Sequence, residues 1–287
     1  MKKNLSEETS LILLKGGFTV KNVKGCFDLL ARTEDKIILI KIVTDANSLN
    51  QEAIDEMKKI AGCVDATPLV VTEKSGNELE DNVVYSRFGV FTINKKTLKN
   101  ALRQKLPFVK SGKAGLTASL DGKRLRQKRE EEGLSLQDLS RKIGVSKRMI
   151  TNYENCNSDI VLQKALKLYD LFGTDVFNQI DIFSEMDKIL YSCVSDVGKK
   201  YSQLGFNAVE TKRSVFDIIA KKEKELILTA VGDSFNKEMS SLSRLLAAES
   251  LIIFERKKPR AEVPKIAKEE FLELENEKEL IRVVKEF

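Results

Sequence analysis

The chain repeats itself on either side of an unrelated middle, and this limits the folds open to it. GGFTVKNVKGCFDLLARTEDKIILIKIVTD begins at Gly16, and LGFNAVETKRSVFDIIAKKEKELILTAVGD begins at Leu204. Gly17-Phe18 matches Gly205-Phe206. Phe27-Asp28-Leu29-Leu30-Ala31-Arg32 matches Phe216-Asp217-Ile218-Ile219-Ala220-Lys221. A charged turn follows in each, then an apolar run, Ile37 to Val43 and Leu226 to Val231. Such self-similarity reads as an internal duplication.

Periodicity predicts the same elements twice. In the first copy a helix covers Ser6–Lys15 and stops at Gly16-Gly17. Strands follow at Phe18–Val23, Cys26–Arg32 and Lys36–Val43. Next come a helix over Leu49–Ile60, strands Pro68–Thr72 and Gly89–Ile93, and a helix over Lys95–Leu102. In the second copy a helix over Ser184–Gln203 leads into three strands and a helix over Lys237–Ala247. Strands Leu251–Glu255 and Phe271–Leu274 and a helix over Glu277–Lys285 complete it. This order is an α/β plan with a mixed sheet covered by helices.

The middle changes period. Leu106 to Leu120 is rich in proline, glycine and small polar residues and reads as a linker. Asp121 can cap a helix from Gly122 to Glu132, which Gly133 ends. Ser135 caps the next, with Asp138 three residues on as in a capping box, and Leu136, Leu139 and Ile143 on one face. Gly144 ends it, Val145 plugs the turn, and Ser146 caps a third helix over Lys147–Glu154, with Ile150 facing inward. A fourth amphipathic helix runs from Ile160 to Phe172. So short a turn forces helices two and three to cross steeply and projects the third outward. Lys147, Arg148, Thr151 and Asn152 face away from its core side, and all can donate hydrogen bonds to base edges or phosphates. Gln137 stands at the start of helix two. From Lys123 to Arg148 nine Lys or Arg face four acids, so much of the chain's net +6 gathers here.

Composition narrows the chemistry. The chain has no histidine, which removes Ser-His-Asp and Cys-His catalysis and HExxH metal sites. The four cysteines stand singly, so neither a zinc site nor a disulfide framework is indicated, and a reducing cytoplasm is the expected compartment. No run of eighteen apolar residues suggests a membrane span, and the N-terminus does not read as a signal peptide.

LSLQDLSRKIGVSKRMITNYEN resembles the XRE family, the lambda-repressor-like helix-turn-helix, over about 53 residues. Its pattern LxxLSxxxGVSxxxIxxYE is present at every helix and turn position, although Asn155 stands where glycine often follows the glutamate. The resemblance implies that helix 147–154 enters the major groove of DNA. It makes Gln137, Ser146, Lys147, Arg148, Thr151 and Asn152 the contact set, and Lys123, Arg124 and Arg126 add a basic surface. The FDLLAR and LIK segments, together with Leu79-Glu80-Asp81-Asn82-Val83-Val84-Tyr85-Ser86-Arg87-Phe88-Gly89-Val90, resemble a group of archaeal helix-turn-helix transcriptional regulators over essentially the full length. Residues 79–90 read as a loop entering a buried strand.

The repeated modules resemble the PD-(D/E)xK nuclease core, with Asp28 thirteen residues before Lys41. That chemistry needs a second acid two residues before the lysine, but Leu39 stands there. In the second copy the lysine and acid positions hold Thr229 and Ile227. One ligand per copy is too few for a metal, so no catalytic residue, metal ligand or cofactor is expected. The expected fold is multidomain: an all-α lambda-repressor-like helix-turn-helix domain (121–180) between two α/β restriction-endonuclease-like modules (1–105 and 181–287), with a linker at 106–120. The expected function is a sequence-specific DNA-binding transcriptional regulator. Its expected partners are double-stranded DNA, a second copy as homodimer and an unknown effector, with no membrane partner. The rival reading is a metal-dependent nuclease or DNA-processing protein targeted by the helix-turn-helix.

Overall fold

The computed structural model describes residues 2–112, 115–156, 158–184 and 193–285. The chain folds into two compact units, one from residues 1–71 and 183–287, the other from residues 72–182.

The first unit opens with α1 (Lys2–Lys15), which buries Leu5, Thr9 and Leu13 along one face. Gly17, at φ 85°, turns the chain so that the Phe18 N–H returns to the Leu13 carbonyl. β1 (Thr19–Asn22), β2 (Leu29–Arg32) and β3 (Ile37–Ile42) form an antiparallel meander. α2 (Gln51–Val64), capped by the Asn50 side chain, crosses to β4 (Thr67–Val71), which pairs with β3 in parallel. β3 and β4 are almost wholly apolar because both faces are covered.

In the second unit β5 (Lys74–Ser75) and β6 (Asn77–Glu78) form a small ribbon. β7 (Val83–Arg87) and β8 (Val90–Ile93) form a hairpin turning at Phe88 (φ 50°) and Gly89 (φ 77°), and α3 (Lys95–Ala101) follows. β9 (Val109–Gly112) joins β7 in parallel and β10 (Gly115–Ser119) in antiparallel. Three helices follow, α4 (Gly122–Glu131), α5 (Leu136–Ile143) and α6 (Lys147–Asn155). β11 (Asp159–Val161) then returns to β10 before α7 (Leu162–Phe172).

The C-terminal segment completes the first unit. α8 (Asp196–Gln203) precedes β12 (Asn207–Glu210), β13 (Ile218–Lys222) and β14 (Glu225–Val231). α9 (Lys237–Leu246), β15 (Glu249–Phe254), β16 (Lys265–Ala267), α10 (Lys268–Glu273) and α11 (Glu277–Lys285) follow.

The duplication reaches the level of single hydrogen bonds. Leu29 faces Ile40 across β2 and β3, and Ile218 faces Thr229 across β13 and β14. The Asp28 N–H donates to the Ile40 carbonyl at 2.8 Å, and the Asp217 N–H donates to the Thr229 carbonyl at 2.9 Å. The two crossover helices end on matching left-handed residues, Asp65 (φ 53°) and Ala247 (φ 52°).

The two copies dock reciprocally. α2 packs on β12 and β13, and α9 packs on β1. Arg32, at the end of β2, donates to the Leu245 carbonyl in the last turn of α9 at 2.7 Å. At the matching place Lys221 pairs with Asp65 at the end of α2. Each copy thus offers a cation to the negative end of the other's helix, an arrangement worth up to about 1 kcal/mol per contact. Burial pushes the Cys63 thiol up to about 12, so it faces the Asn207 and Ile219 carbonyls as a neutral group. The Cys26 N–H donates to the Arg213 carbonyl at 2.6 Å, and the Arg213 N–H donates to Glu56.

Several expectations are corrected. Segment 106–120, expected to be a linker, holds β9 and β10, and Ala118 and Leu120 are fully buried. Residues 79–82 do lead as a loop into a strand with buried Val83 and Val84, but residues 83–90 go on to turn into the β7–β8 hairpin. Phe271–Leu274, expected to be a strand, falls on and just after α10, where Phe271 packs beside Tyr201 with ring centroids 5.1 Å apart. Ile160 belongs to β11 and not to α7. Of the helix expected over 184–203, Asp196–Gln203 is helical, Ser184 is not, and 185–192 lie outside the described residues.

The docking is testable at Gly25. A Cβ there would lie 2.2 Å from the Arg213 carbonyl oxygen, so the backbone must shift. Gly25→Ala is expected to destabilise by about 1–3 kcal/mol, read as a lower denaturant midpoint. An unchanged midpoint would show that these backbones do not meet.

Candidate nucleic-acid interface

The three helices α4, α5 and α6 are set by local signals that the backbone obeys. Asp121 accepts from the Arg124 N–H at the start of α4. Ser135 and Asp138 form a reciprocal capping box on α5, and the Ser135 hydrogen bonds hold the Asp138 carboxyl below its usual range. Gly144 caps α5 in the left-handed region at φ 72°. Ser146 accepts from the Met149 N–H at 3.2 Å and opens α6.

One apolar cluster holds these helices to α7 and to β10 and β11. Leu125, Leu139, Ile143, Ile150 and Leu168 are all fully buried in it. Its floor is completed by Ala118, Leu120 and Ile160, so the helices are joined to strands rather than tethered. α4 also meets the end of α6 closely. A Cβ on Gly122 would lie 2.5 Å from the Tyr153 carbonyl oxygen, which explains a glycine in the first turn of a helix.

A buried ion pair fixes the angle of α6. Arg129 Nε and Nη2 donate to the two Glu154 carboxylate oxygens at 2.6 and 3.0 Å, and Nη1 donates to the Leu134 carbonyl at 2.9 Å. Their side chains are 10% and 5% exposed. The bond to Glu154 holds the Arg129 pKa above its ordinary value. By sequence Arg129 counts among the basic residues of this segment, but the structure commits its charge to the inside of the bundle.

The outward face of α6 carries Lys147, Arg148, Thr151 and Asn152. Lys147, Arg148 and Asn152 are exposed, and Thr151 is half-buried with its hydroxyl on the Lys147 carbonyl at 3.2 Å. Among the described residues no acid pairs with Lys147 or Arg148. Gln137 is exposed at the first turn of α5, and Ser146 is exposed, its oxygen already serving as a cap. On α4 Lys123 is unpaired among the described residues, Arg124 lies 3.4 Å from Asp121, and Arg126 lies 3.0 Å from Glu130. Such exposed pairs hold their cations weakly, so Arg124 and Arg126 remain exchangeable for another anion.

Sequence reasoning passed over three residues here. Met149 is 42% exposed on α6. It shares the side of Asn152 three residues on, a signal that helical spacing carried. Lys164 and Lys167 project from α7 toward Gly144, where a Cβ would lie 3.0 and 3.7 Å from their ammonium nitrogens. No local pattern announces that approach.

The α/β modules present a different picture. Asp28 Oδ2 accepts from the Ile42 N–H at 2.8 Å and lies 3.4 Å from Lys41, while Oδ1 accepts from Lys2 at 2.9 Å. Leu39, at the second-acid position, is 1% exposed. In the second copy Asp217 Oδ2 accepts from the Val231 N–H at 2.8 Å. Strand register corrects the expected match by one residue: Ala230 stands where the first copy has Lys41 and Leu228 where it has Leu39, both buried, while Thr229 matches Ile40 and is bonded to the Tyr201 hydroxyl. Among the described residues no three acidic, His or Cys side chains gather as a metal would require. The residues present do not fit the divalent ion of PD-(D/E)xK chemistry.

The ion pair yields a double-mutant test. Arg129→Met or Glu154→Gln alone leaves a buried partner unsatisfied and is expected to cost about 3–5 kcal/mol. Arg129→Met with Glu154→Leu is expected to recover most of that loss. Additive losses in denaturant titrations would show that the two are not coupled.

Known proteins resemble the chain in sequence. Residues 2–107 match the PD-(D/E)XK superfamily domain, and residues 125–176 match the helix-turn-helix family. Proteins named "Putative HTH-type transcriptional regulatory protein" match along nearly the whole chain. The one from Archaeoglobus fulgidus is 31% identical over 98% of this chain and 97% of its own. That from Methanobrevibacter smithii is 30% identical over 99% and 97%. That from Thermococcus gammatolerans is 28% identical over 99% and 96%. No solved structure matches. Among the described residues no helix is long and apolar enough to cross a membrane.

Proposed function

The chain belongs to the family of archaeal helix-turn-helix transcriptional regulatory proteins, and on that premise we propose that it reads a specific DNA sequence through the outward face of α6. The observation that carries this reading is the row Lys147, Arg148, Thr151 and Asn152 on a helix locked from behind by Arg129 and Glu154. Four donors on one face suit the acceptor-rich major groove, and Arg and Asn match guanine and adenine edges. Ser146 keeps a hydroxyl proton for a phosphate, while Gln137, Lys123, Arg124 and Arg126 serve the backbone on either side. One such helix reads a half-site, so the protein acts as a homodimer on a two-fold operator.

Two variants separate reading from holding. Arg148→Ala with Asn152→Ala is expected to narrow the gap between operator and random duplex by about 1–3 kcal/mol per lost base contact. Lys123→Gln with Arg126→Gln is expected to weaken both duplexes alike and lower the salt slope by about two. Titration of labelled duplexes at several salt concentrations checks both. An unchanged operator preference in the first variant would remove α6 as the reading helix.

The second reading, a metal-dependent nuclease steered by the same helices, draws its support from the superfamily match of residues 2–107. The carboxylate geometry argues against it, since Asp28 is held by a backbone N–H and two lysines. Duplex and branched DNA are therefore expected to stay intact with magnesium or manganese, as followed on denaturing gels. Cleavage that disappears in Lys41→Ala would establish the nuclease.

A further inference from the structure

The most uneven charge outside the helix-turn-helix lies in the C-terminal module. After β15 the chain runs Arg256-Lys257-Lys258-Pro259-Arg260, and all four cations are exposed. Beside this loop is a cleft of about 740 Å³ lined by Lys237 and Arg244 of α9, by Arg260 and Lys265, and by Phe235. Among the described residues Glu262 is the one acid in that lining.

Two further acids beside the loop, Asp233 and Glu255, are already engaged. Asp233 accepts from the Glu255 and Arg256 N–H groups, both at 3.0 Å, and backbone bonds of this kind hold its carboxyl below the usual range. Glu255 pairs with Lys268 at 2.7 Å. Among the described residues no acid pairs with Lys237, Arg244, Lys257, Lys258 or Arg260. The loop is also built rather than slack. Asp233 pins its start, Lys265 donates to the Ala261 carbonyl at 2.6 Å, and the Ile252 N–H donates to the Pro264 carbonyl at 2.9 Å.

The shared fold does not require this charge. Matching registers place Asp55 and Gly62 where the second copy has Lys237 and Arg244. They place Lys74-Ser75-Gly76-Asn77-Glu78 where it has the basic loop. A preformed group of like charges that far outnumbers its one nearby acid, Glu262, repels itself and binds a polyanion by releasing that polyanion's counterions.

We propose that the Arg256–Arg260 loop, with Lys237 and Arg244, is a second and sequence-independent seat for the phosphodiester backbone of DNA. It rests on the reading of this protein as a DNA-binding regulator and adds a contact that holds without reading. The exposed loop favours a long polyanion over a small phosphate, because its cations line an open surface and not an enclosed pocket.

The test uses the full chain and a random duplex. Arg256, Lys257, Lys258 and Arg260 are changed together to Gln, and Lys237→Gln with Arg244→Gln forms a second variant. A control changes the exposed Lys3, Lys15, Lys99 and Lys278 to Gln. The loop variant is expected to lower the salt slope by roughly 0.9 per lost phosphate contact, about 3 to 4 in all. The α9 variant is expected to lower it by about 2. The operator-to-random ratio should remain as in the unchanged protein. An equal fall in the control, or a wild-type slope in both variants, overturns the proposal. So does saturable binding of inorganic pyrophosphate that the variants abolish while their DNA slope is unchanged. An operator ratio unmoved by Arg148→Ala with Asn152→Ala, beside a lowered slope in the loop variants, sinks the α6 assignment and leaves this seat standing.

Discussion

The docking of the two copies, helix on strand with a cation at each helix end, makes the larger unit. Arg32 reaches the last turn of α9, and Lys221 reaches the cap of α2. Neither contact exists within a single module, because each module supplies the cation to one and the helix end to the other. The reciprocity follows from duplication: once the register of strands and caps is copied, a contact made in one direction is available in the other. Residues far apart in sequence thereby become one unit, and residues 72–182 form another that is inserted between its halves in sequence. Closing a loop of that size costs only slowly more than closing a short one, which makes such a long insertion thermodynamically tolerable.

Within the inserted unit the comparable constraint is Arg129 against Glu154. Removing two charges from water is costly, and the bidentate geometry with a third bond to Leu134 offsets that cost. What the pair supplies is direction. It ties α4 to the end of α6 while Gly122 lets the backbones meet, and the face with Lys147, Arg148 and Asn152 is then turned outward. The basic character of the segment is therefore divided: one arginine serves as a strut, Arg124, Arg126 and Lys128 are loosely countered by acids, and the cations of α6 are left open.

The aspartates of the two modules have the same structural task. In both copies the carboxylate accepts a backbone N–H from the far end of the next strand, Ile42 or Val231, and so clamps the start of one strand to the end of another. That bond is the same whether the residue before its donor is a lysine, Lys41 in the first copy, or an alanine, Ala230 in the second. The strand clamp alone accounts for an aspartate at both places.

The helix-turn-helix was readable in the sequence almost residue by residue, because caps, capping boxes and left-handed glycines act over four residues or fewer. The duplication was readable for the same reason, since identical local patterns recur in the same order. Segment 106–120 was misread because its glycines, serines and proline speak locally for a turn, while the pairing of β9 and β10 with β7 and β11 depends on residues far along the chain. Phe271 was misread because alternation over four residues is too short to separate a strand from a helix that buries one aromatic side chain. Neighbouring residues alone set most of the helices and strands and the polar side of α6. The folded arrangement alone reveals that Arg129 is a buried strut, that Lys164 and Lys167 approach Gly144, and that the two modules dock on each other. Local backbone preference is written in neighbouring residues, whereas burial and pairing of a charge depend on what the rest of the chain brings beside it.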